Sequence, residues 1–215
     1  MINVITFNYD SIEELHSNTF IAIDSSFSCV VIDPSKDYDG ILNYIKSHNL
    51  TLKGILLTHA HFDHFIGVNR LKEVYDVPIY IGYEDVETLT NPEDNCSYMS
   101  PYIFTMNYKV TQVGDNEIIH LLEEDIKVIY TPYHTKGSVC YYLDKSKILF
   151  SGDSLFYHGI GRSDLPTGNA SQTIPSLKKI MTLDDEVKVY VGHGKNTSIK
   201  EERRFLNVYL GMISK

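Results

Sequence analysis

The sequence predicts an α/β fold with mixed sheets. Apolar runs rich in β-branched residues recur along the 215 residues, and stretches with helical spacing separate several of them. Polar turn signals at 24–26 and 144–146 stand between consecutive apolar runs and predict antiparallel hairpins. Alternating strands and helices also predict parallel pairing, because a helix returns the chain to the same end of a sheet. Together these signals favour mixed sheets with helices packed outside them.

Each predicted strand is a short apolar run bounded by polar or turn-forming residues. In chain order the predicted strands are 2–7, 19–23, 29–32, 54–57, 77–81, 126–130, 139–143, 148–150 and 187–191. Apolar residues spaced three or four apart predict helices over 39–48, 65–75 and 169–181. Residues 91–107 are the least regular segment, which predicts a loop whose aromatic rings either pack on the core or border a site.

Composition and charge predict a single cytoplasmic domain over residues 1–215. No linker or repeat divides the chain, and no stretch is apolar enough for a membrane helix or a secretion signal. Cys29, Cys96 and Cys140 form no closely spaced pair, which favours a reducing compartment. With 19 basic and 28 acidic residues, the net charge of −9 argues against nucleic acid as a partner. We therefore expect a protein that binds neither nucleic acid nor membranes; its oligomeric state stays open.

The segment after the predicted strand 54–57 carries a dense set of metal-binding groups. His59, His61, Asp63 and His64 form the pattern H-x-H-x-D-H within six residues. Imidazole and carboxylate groups are the usual ligands of zinc and iron. A polar surface loop with satisfied histidines explains poorly why so many such groups follow one buried strand. We therefore interpret this segment as part of a metal site.

Three further segments supply potential ligands, and each follows a predicted apolar strand. They contain His134, Asp153 and His193. A single ion in a protein site needs only three or four protein ligands, so the supply exceeds what one ion requires. This excess predicts two ions.

These motifs resemble the metallo-β-lactamase superfamily. The order H-x-H-x-D-H, a later His, Gly-Asp and Gly-His-Gly spans residues 59–193. The patterns Thr-Pro-x-His-Thr-x-Gly-Ser at 131–138 and Gly-Arg-Ser-Asp-Leu-Pro at 161–166 are similar to the hydroxyacylglutathione hydrolases, or glyoxalase II enzymes, particularly their short bacterial-type relatives. The resemblance implies a four-layered αβ/βα sandwich, with the metal site at one edge of the facing sheets.

The resemblance also assigns residues to the site. It implies two metal ions, most simply two Zn²⁺, with iron or a mixed Fe/Zn pair as the alternative. The ligands would be His59, His61 and His134 on one ion, Asp63, His64 and His193 on the other, and Asp153 between both. Thr58, Asp33 and Thr135 would hold the ligands or their loops in place.

The activity implied by this resemblance is hydrolysis of a small hydroxyacyl thioester, such as S-D-lactoylglutathione. A metal-bridging hydroxide would attack the thioester carbonyl, and Asp63 would orient that nucleophile. Two cations would leave the site positive within an acidic protein, which favours a small anionic thioester as the substrate. Arg162 is our candidate for the substrate contact beside the sulfur.

Several alternatives stay open at this stage. The longer glyoxalase II enzymes carry a C-terminal helical substrate domain that this chain does not match, so the thiol carrier is undetermined. Persulfide dioxygenases use one iron at positions that correspond to His59, His134 and Asp153, so that activity is the runner-up. A non-catalytic metal-binding protein is the third reading. A metallo-β-lactamase proper is disfavoured, because the classes resembled here commonly carry a cysteine where Asp153 stands.

Overall fold

The computed structural model describes residues 1–8, 16–36 and 38–213, without the side chains of 209, 210, 212 and 213. Its strands are β1 (Asn3–Phe7), β2 (Thr19–Ile23), β3 (Ser28–Ile32), β4 (Thr51–Leu56), β5 (Ile79–Gly82), β6 (Thr111–Val113), β7 (Ile118–Ile119), β8 (Ile126–Tyr130), β9 (Val139–Leu143), β10 (Ile148–Gly152), β11 (Lys188–Val191) and β12 (Thr197–Ser198). Its α-helices are α1 (Tyr38–Ser47), α2 (Phe62–Phe65), α3 (Val68–Lys72), α4 (Thr173–Ile180) and α5 (Ile199–Ile213). Single 3₁₀ turns lie at Tyr83–Asp85, Thr88–Thr90, Ser97–Met99 and Ala170–Gln172.

The strands form two sheets of mixed direction, as the sequence predicts. The first sheet has the order β1-β2-β3-β4-β5-β6; it is antiparallel up to β3 and parallel from β3 onwards. The second has the order β12-β11-β10-β9-β8-β7, and only β10 and β11 pair in parallel. The predicted hairpins at 24–26 and 144–146 are confirmed as the antiparallel pairs β2–β3 and β9–β10.

Alternating side chains along the strands separate three apolar cores. In β3, Val31 packs with α1, α2 and α3, whereas Val30 faces the second sheet. In β9, Tyr141 faces the first sheet, whereas Tyr142 packs with α4 and α5. Because neighbouring residues of a strand point to opposite faces, each sheet is covered on both sides. The layers run helices, sheet, sheet, helices, which confirms the predicted αβ/βα sandwich.

The prediction of one helix over 65–75 is wrong in its bounds. The chain instead forms α2 and α3, which are separated at Gly67. The backbone of Gly67 approaches Pro34 closely, with its N–H donating to the Pro34 carbonyl at 2.9 Å, and no side chain fits at that contact. The first turn also begins earlier, because the His64 N–H donates to the His61 carbonyl at 3.0 Å. Asp63 and His64 therefore lie on a helical turn and not on an extended loop.

In the irregular segment 91–107, the first of the two predicted alternatives holds for Phe104. Phe104 stacks on Phe62 with ring centroids 5.6 Å apart, so one of its rings packs on the core. Asn95 accepts a hydrogen bond from the Phe62 N–H at 2.9 Å and donates to the Phe104 carbonyl at 2.9 Å. These contacts place the segment directly against the H-x-H-x-D-H motif.

A membrane-spanning helix is absent from the described part of the chain, where no helix has the necessary length and apolar character.

Candidate metal centre

Four loops meet where the two sheets share an edge. They follow β4, β8, β10 and β11, and the last three strands run in the same direction because β8 and β10 both pair antiparallel with β9. The two sheets touch at this point, where the Val139 N–H donates to the Thr58 carbonyl at 2.8 Å. These loops bring together all seven predicted ligands: His59, His61, Asp63, His64, His134, Asp153 and His193.

The first group consists of three buried imidazoles, His59, His61 and His134. The Nδ1 atom of His61 lies 3.1 Å from Nε2 of His59 and 2.9 Å from Nε2 of His134. A ring nitrogen has one lone pair or one proton, so Nδ1 of His61 cannot bond to both neighbours at full strength. Three ring nitrogens that point at one another in this way suit a shared cation better than a set of hydrogen bonds.

The second group consists of Asp63, His64 and His193. Oδ2 of Asp63 lies 3.2 Å from Nε2 of His193 and 3.6 Å from Nε2 of His64. His64 is fully buried, whereas His193 is partly exposed. The group therefore has one side packed into the protein and one side open.

Asp153 lies between the two groups. Its Oδ2 atom is 3.3 Å from Nε2 of His134 in the first group and 3.6 Å from Nε2 of His193 in the second. Its Oδ1 atom is 3.4 Å from Nε2 of His64. A third set, His59, His64 and Asp153, also offers ligand atoms within 4.8 Å of one another, so the two groups are contiguous.

Two unsatisfied polar atoms of this cluster fit a bound metal. Nε2 of His64 and Oδ1 of Asp153 are buried and have no hydrogen-bond partner among the described residues. A buried polar atom without a partner costs about 1–3 kcal/mol, so such atoms need an explanation. A cation between these groups would satisfy both atoms at once.

The protonation of the cluster also fits a cation. Burial, together with the neighbouring imidazoles, lowers the pKa of His59 well below its ordinary value and that of His61 to about 3, so both rings are neutral as metal ligands must be. Burial acts to lower the pKa of His64, but Asp63, Asp33 and Asp153 together raise it well above its ordinary value. The carboxylates thus attract positive charge to this position, and a divalent ion would supply it.

Three of the ligand imidazoles are oriented by a hydrogen bond at Nδ1, the ring nitrogen that points away from the cluster. Nδ1 of His64 donates to Oδ2 of Asp33 at 3.0 Å, and Nδ1 of His134 donates to the Arg162 carbonyl at 2.7 Å. Nδ1 of His59 lies 3.2 Å from Oγ1 of Thr58, which itself donates to Asp33 at 2.6 Å. These bonds leave the Nε2 atoms facing the cluster.

Asp33 is the link between these contacts. Its Oδ1 atom accepts the Thr58 N–H at 2.8 Å, while its Oδ2 atom accepts from Thr58 and His64. Its backbone has a φ of 47°, in the left-handed region that Asp and Asn tolerate better than most residues. The structure thus places the predicted Asp33 and Thr58 directly behind the cluster.

Asp85 is a positioning residue that our sequence analysis missed. It is fully buried. Its Oδ2 atom accepts from the Ala60 N–H at 2.9 Å and from Oγ1 of Thr135 at 2.7 Å, and its Oδ1 atom accepts the Gly137 N–H at 2.9 Å. It therefore joins the loop of His59 and His61 to the loop of His134, and it is the partner of the predicted Thr135. The available signal was an acidic residue soon after a buried strand.

We expect Asp85→Asn to weaken metal binding by the first group. The amide would turn N–H groups towards backbone donors, so the two loops would lose part of their alignment. Changes behind the ligands typically cost about 10- to 100-fold in metal affinity, and we expect a loss in that range by zinc titration against a chelator. The control is Glu84→Gln on the exposed neighbour. Unchanged affinity with a lowered melting temperature would limit Asp85 to a structural role.

Two glycines keep the centre of the cluster open. Gly152 has a φ of 48°, and a Cβ there would collide with the side chain of Thr58. A Cβ on Gly192 would collide with Oδ1 of Asp153 and press on His64. The sequence pairs Gly152-Asp153 and Gly192-His193 thus reflect the close approach of the backbone to the ligands.

Asn18 fixes the loop of His193 from the other sheet. Its side-chain N–H₂ donates to the Val191 carbonyl at 2.9 Å and to the Gly194 carbonyl at 3.0 Å, and its backbone N–H donates to the Gly192 carbonyl at 2.6 Å. Because Asn18 is buried, these bonds hold His193 against the cluster even though its ring is partly exposed.

A pocket of about 490 Å³ opens onto the cluster. Arg162 lines it, as our substrate prediction requires, but its guanidinium is bound to Asp164: Nε lies 2.6 Å from Oδ1 and Nη2 lies 2.8 Å from Oδ2. Both side chains are exposed, so this pair is solvated at the rim of the pocket. The Arg162 backbone, by contrast, is fixed through its bond from His134.

The two facing sheets and the imidazoles and carboxylates at their common edge define a metal-dependent hydrolase with a site for two metals. The chain belongs to the metallo-beta-lactamase superfamily, whose family model matches residues 14–193. The family resemblance of the sequence motifs is thereby confirmed.

Curated relatives and solved structures cover nearly the whole chain. The probable metallo-hydrolase YqgX of Bacillus subtilis is 34% identical over 206 residues, which are 90% of this chain and 93% of that protein. The hydroxyacylglutathione hydrolase GloC of Haemophilus influenzae is 32% identical, covering 88% of this chain and 92% of that protein. BLEG-1, a B3 metallo-beta-lactamase, superposes with a TM-score of 0.87 at 31% identity and covers 94% of this chain and 97% of its own. TTHA1623, solved in a di-iron-bound form, has a TM-score of 0.81 at 29% identity, covering 93% and 98%.

Proposed function

We propose that this protein hydrolyses small hydroxyacyl thioesters with two metal ions, most simply zinc, bound to the clustered ligands. The observation that carries the proposal is the contiguous pair of ligand groups, with Asp153 between them, at the floor of a pocket. The similarity to a hydroxyacylglutathione hydrolase over most of both chains supports the choice of substrate. Bound ions would supply a hydroxide at neutral pH and a Lewis acid for the carbonyl oxygen.

The residues around the ions have separate tasks in this proposal. His59, His61 and His134 hold one side of the site, and Asp63, His64 and His193 hold the other. Asp63 faces the pocket and orients the attacking water by accepting a hydrogen bond from it. The attack of water forms a C–O bond and breaks the C–S bond, which gives a carboxylate, a thiolate and two protons.

The chemistry of the leaving group explains why the pocket can function without a dedicated proton donor. A thiol has a pKa near 8.5, so it departs readily as the thiolate at neutral pH. The buried Cys96, which lines the pocket, is no substitute for an acid, because burial raises its pKa to about 11. Asp63 and the metal ligands therefore suffice for the reaction proposed.

Hydrolysis of S-D-lactoylglutathione in ¹⁸O-water tests the proposal. We expect one ¹⁸O atom in the carboxylate of the lactate, no covalent acyl-enzyme and no requirement for O₂, because water attacks the carbonyl directly. Mass spectrometry of the product and of the intact protein during turnover measures both. Metal content in the same samples should be close to two ions per chain.

Three other outcomes would replace the proposal. Oxygen consumption with glutathione persulfide, one bound iron and no thioesterase activity would establish the persulfide dioxygenase reaction. Hydrolysis of a β-lactam without thioester hydrolysis would establish the activity named for BLEG-1. Metal binding without turnover of any of these substrates would leave a non-catalytic metal-binding protein.

A further inference from the structure

The pocket above the cluster has a predominantly apolar wall. Beyond the metal-binding groups, its apolar lining includes Phe62, Met99, Phe156, Ile160 and Leu165. Phe62 is held in place by its stacking on Phe104, and Met99 is 48% exposed at the rim. A substrate that enters this pocket would therefore bury apolar side chains beside the reacting carbonyl.

The wall provides little positive charge for an anionic carrier. Arg162 is the basic side chain among the described lining residues outside the His/Asp cluster, and the edge of its guanidinium formed by Nε and Nη2 bonds to Asp164. A substrate carboxylate at that edge would have to compete with the bidentate pair, and at the other edge the charge of Asp164 would offset part of the attraction of the guanidinium. Glutathione carries two carboxylates, and each would need a cation or several donors to leave water.

We infer that the thiol part of the substrate is uncharged and apolar, and that it lies along the wall formed by Phe62, Met99, Phe156, Ile160 and Leu165. This inference rests on the proposed thioester hydrolysis, and it narrows the substrate class to hydroxyacyl thioesters of apolar thiols. The hydroxyacyl group is the small end, so most of the pocket volume of about 490 Å³ is left for the thiol end.

A series of thioesters with one acyl group tests the inference. S-D-lactoyl esters of 2-phenylethanethiol, N-acetylcysteamine and glutathione differ only in the thiol. The first thiol is apolar, the second is polar but uncharged, and the third is anionic. We expect kcat/KM to be highest for the phenylethyl ester, by roughly tenfold over the glutathione ester, since burying a few apolar carbons contributes this much. Glutathione is the more acidic thiol, so leaving-group chemistry alone would favour its ester.

Two variants and one control test which residues cause the preference for an apolar thiol. Met99→Gln makes the rim polar at an exposed position, and we expect it to raise KM for the phenylethyl ester several-fold with little change for the glutathione ester. Ile103→Gln is the matched control, because Ile103 is 61% exposed on the same segment and does not line the pocket. Asp164→Asn releases the Arg162 guanidinium, so we expect it to lower KM for the glutathione ester alone.

The outcomes separate the inference from the proposed function. Hydrolysis of the series with the glutathione ester preferred would overturn the apolar-thiol inference and leave the thioesterase proposal standing. An equal effect of Met99→Gln and Ile103→Gln on the phenylethyl ester would also overturn the assignment to this wall. Hydrolysis of none of the esters by the metal-loaded protein would overturn both.

Discussion

Asp153→Ala is expected to remove metal from both groups and to abolish hydrolysis. The Asp153 carboxylate is the negative charge that contacts both groups, with Oδ2 3.3 Å from Nε2 of His134 and 3.6 Å from Nε2 of His193. Without it, two divalent ions would face each other with less compensation, and each would lose a ligand. The loss of zinc affinity should exceed the roughly 100-fold upper range for changes behind a ligand. Elemental analysis and chelator competition measure it.

Asp144→Ala is the matched control for that experiment. Asp144 lies at the opposite end of the β9–β10 hairpin, where it is exposed and bonds to Tyr142 and Lys147. We expect this control to retain both ions. If Asp153→Ala kept one ion at full affinity, Asp153 would serve a single ion and would not bridge two.

The fold is predictable from the sequence where an apolar pattern is long enough to show whether the segment is a strand or a helix and which of its faces is buried. β2, β8 and β9 have the bounds that their apolar runs predict, because each run is five residues long and is buried throughout in β2 and β9 and at three positions in β8. β6, β7 and β12 contain two or three residues, so they leave no pattern to read. Their pairing depends on neighbouring strands, which only the assembled sheet provides.

The candidate site is likewise predictable from the sequence only in part. The ligand types and their positions after strands are visible in the sequence, because metal chemistry restricts which residues can serve. The hydrogen bonds of Asp85 join parts of the chain that are 25 to 52 residues apart, and no local pattern encodes them. The pairing of Arg162 with Asp164 is local, two residues apart, but whether it forms depends on the conformation of the turn.

Asp33→Ala is expected to have the second largest effect, and it should act on stability as well as on metal binding. Alanine would leave the Thr58 N–H, the Thr58 hydroxyl and Nδ1 of His64 without their acceptor in a fully buried place. Each such donor costs about 1–3 kcal/mol, so the metal-free protein should lose about 3 kcal/mol or more of its free energy of unfolding. Alanine also tolerates the φ of 47° less well than aspartate. Chemical denaturation of the metal-free protein measures this loss.

Asp33→Asn separates the two roles of this side chain. Asparagine keeps the size, tolerates the left-handed backbone and retains one oxygen for the Thr58 N–H, so its loss of stability should be clearly smaller than that of alanine. Its N–H₂ group would face the Thr58 hydroxyl and Nδ1 of His64, so His64 would lose its charged acceptor in both variants. We therefore expect both variants to weaken zinc binding, even though their stabilities differ. Asparagine with full zinc affinity would show that Asp33 supports the fold alone and does not orient His64 for the metal.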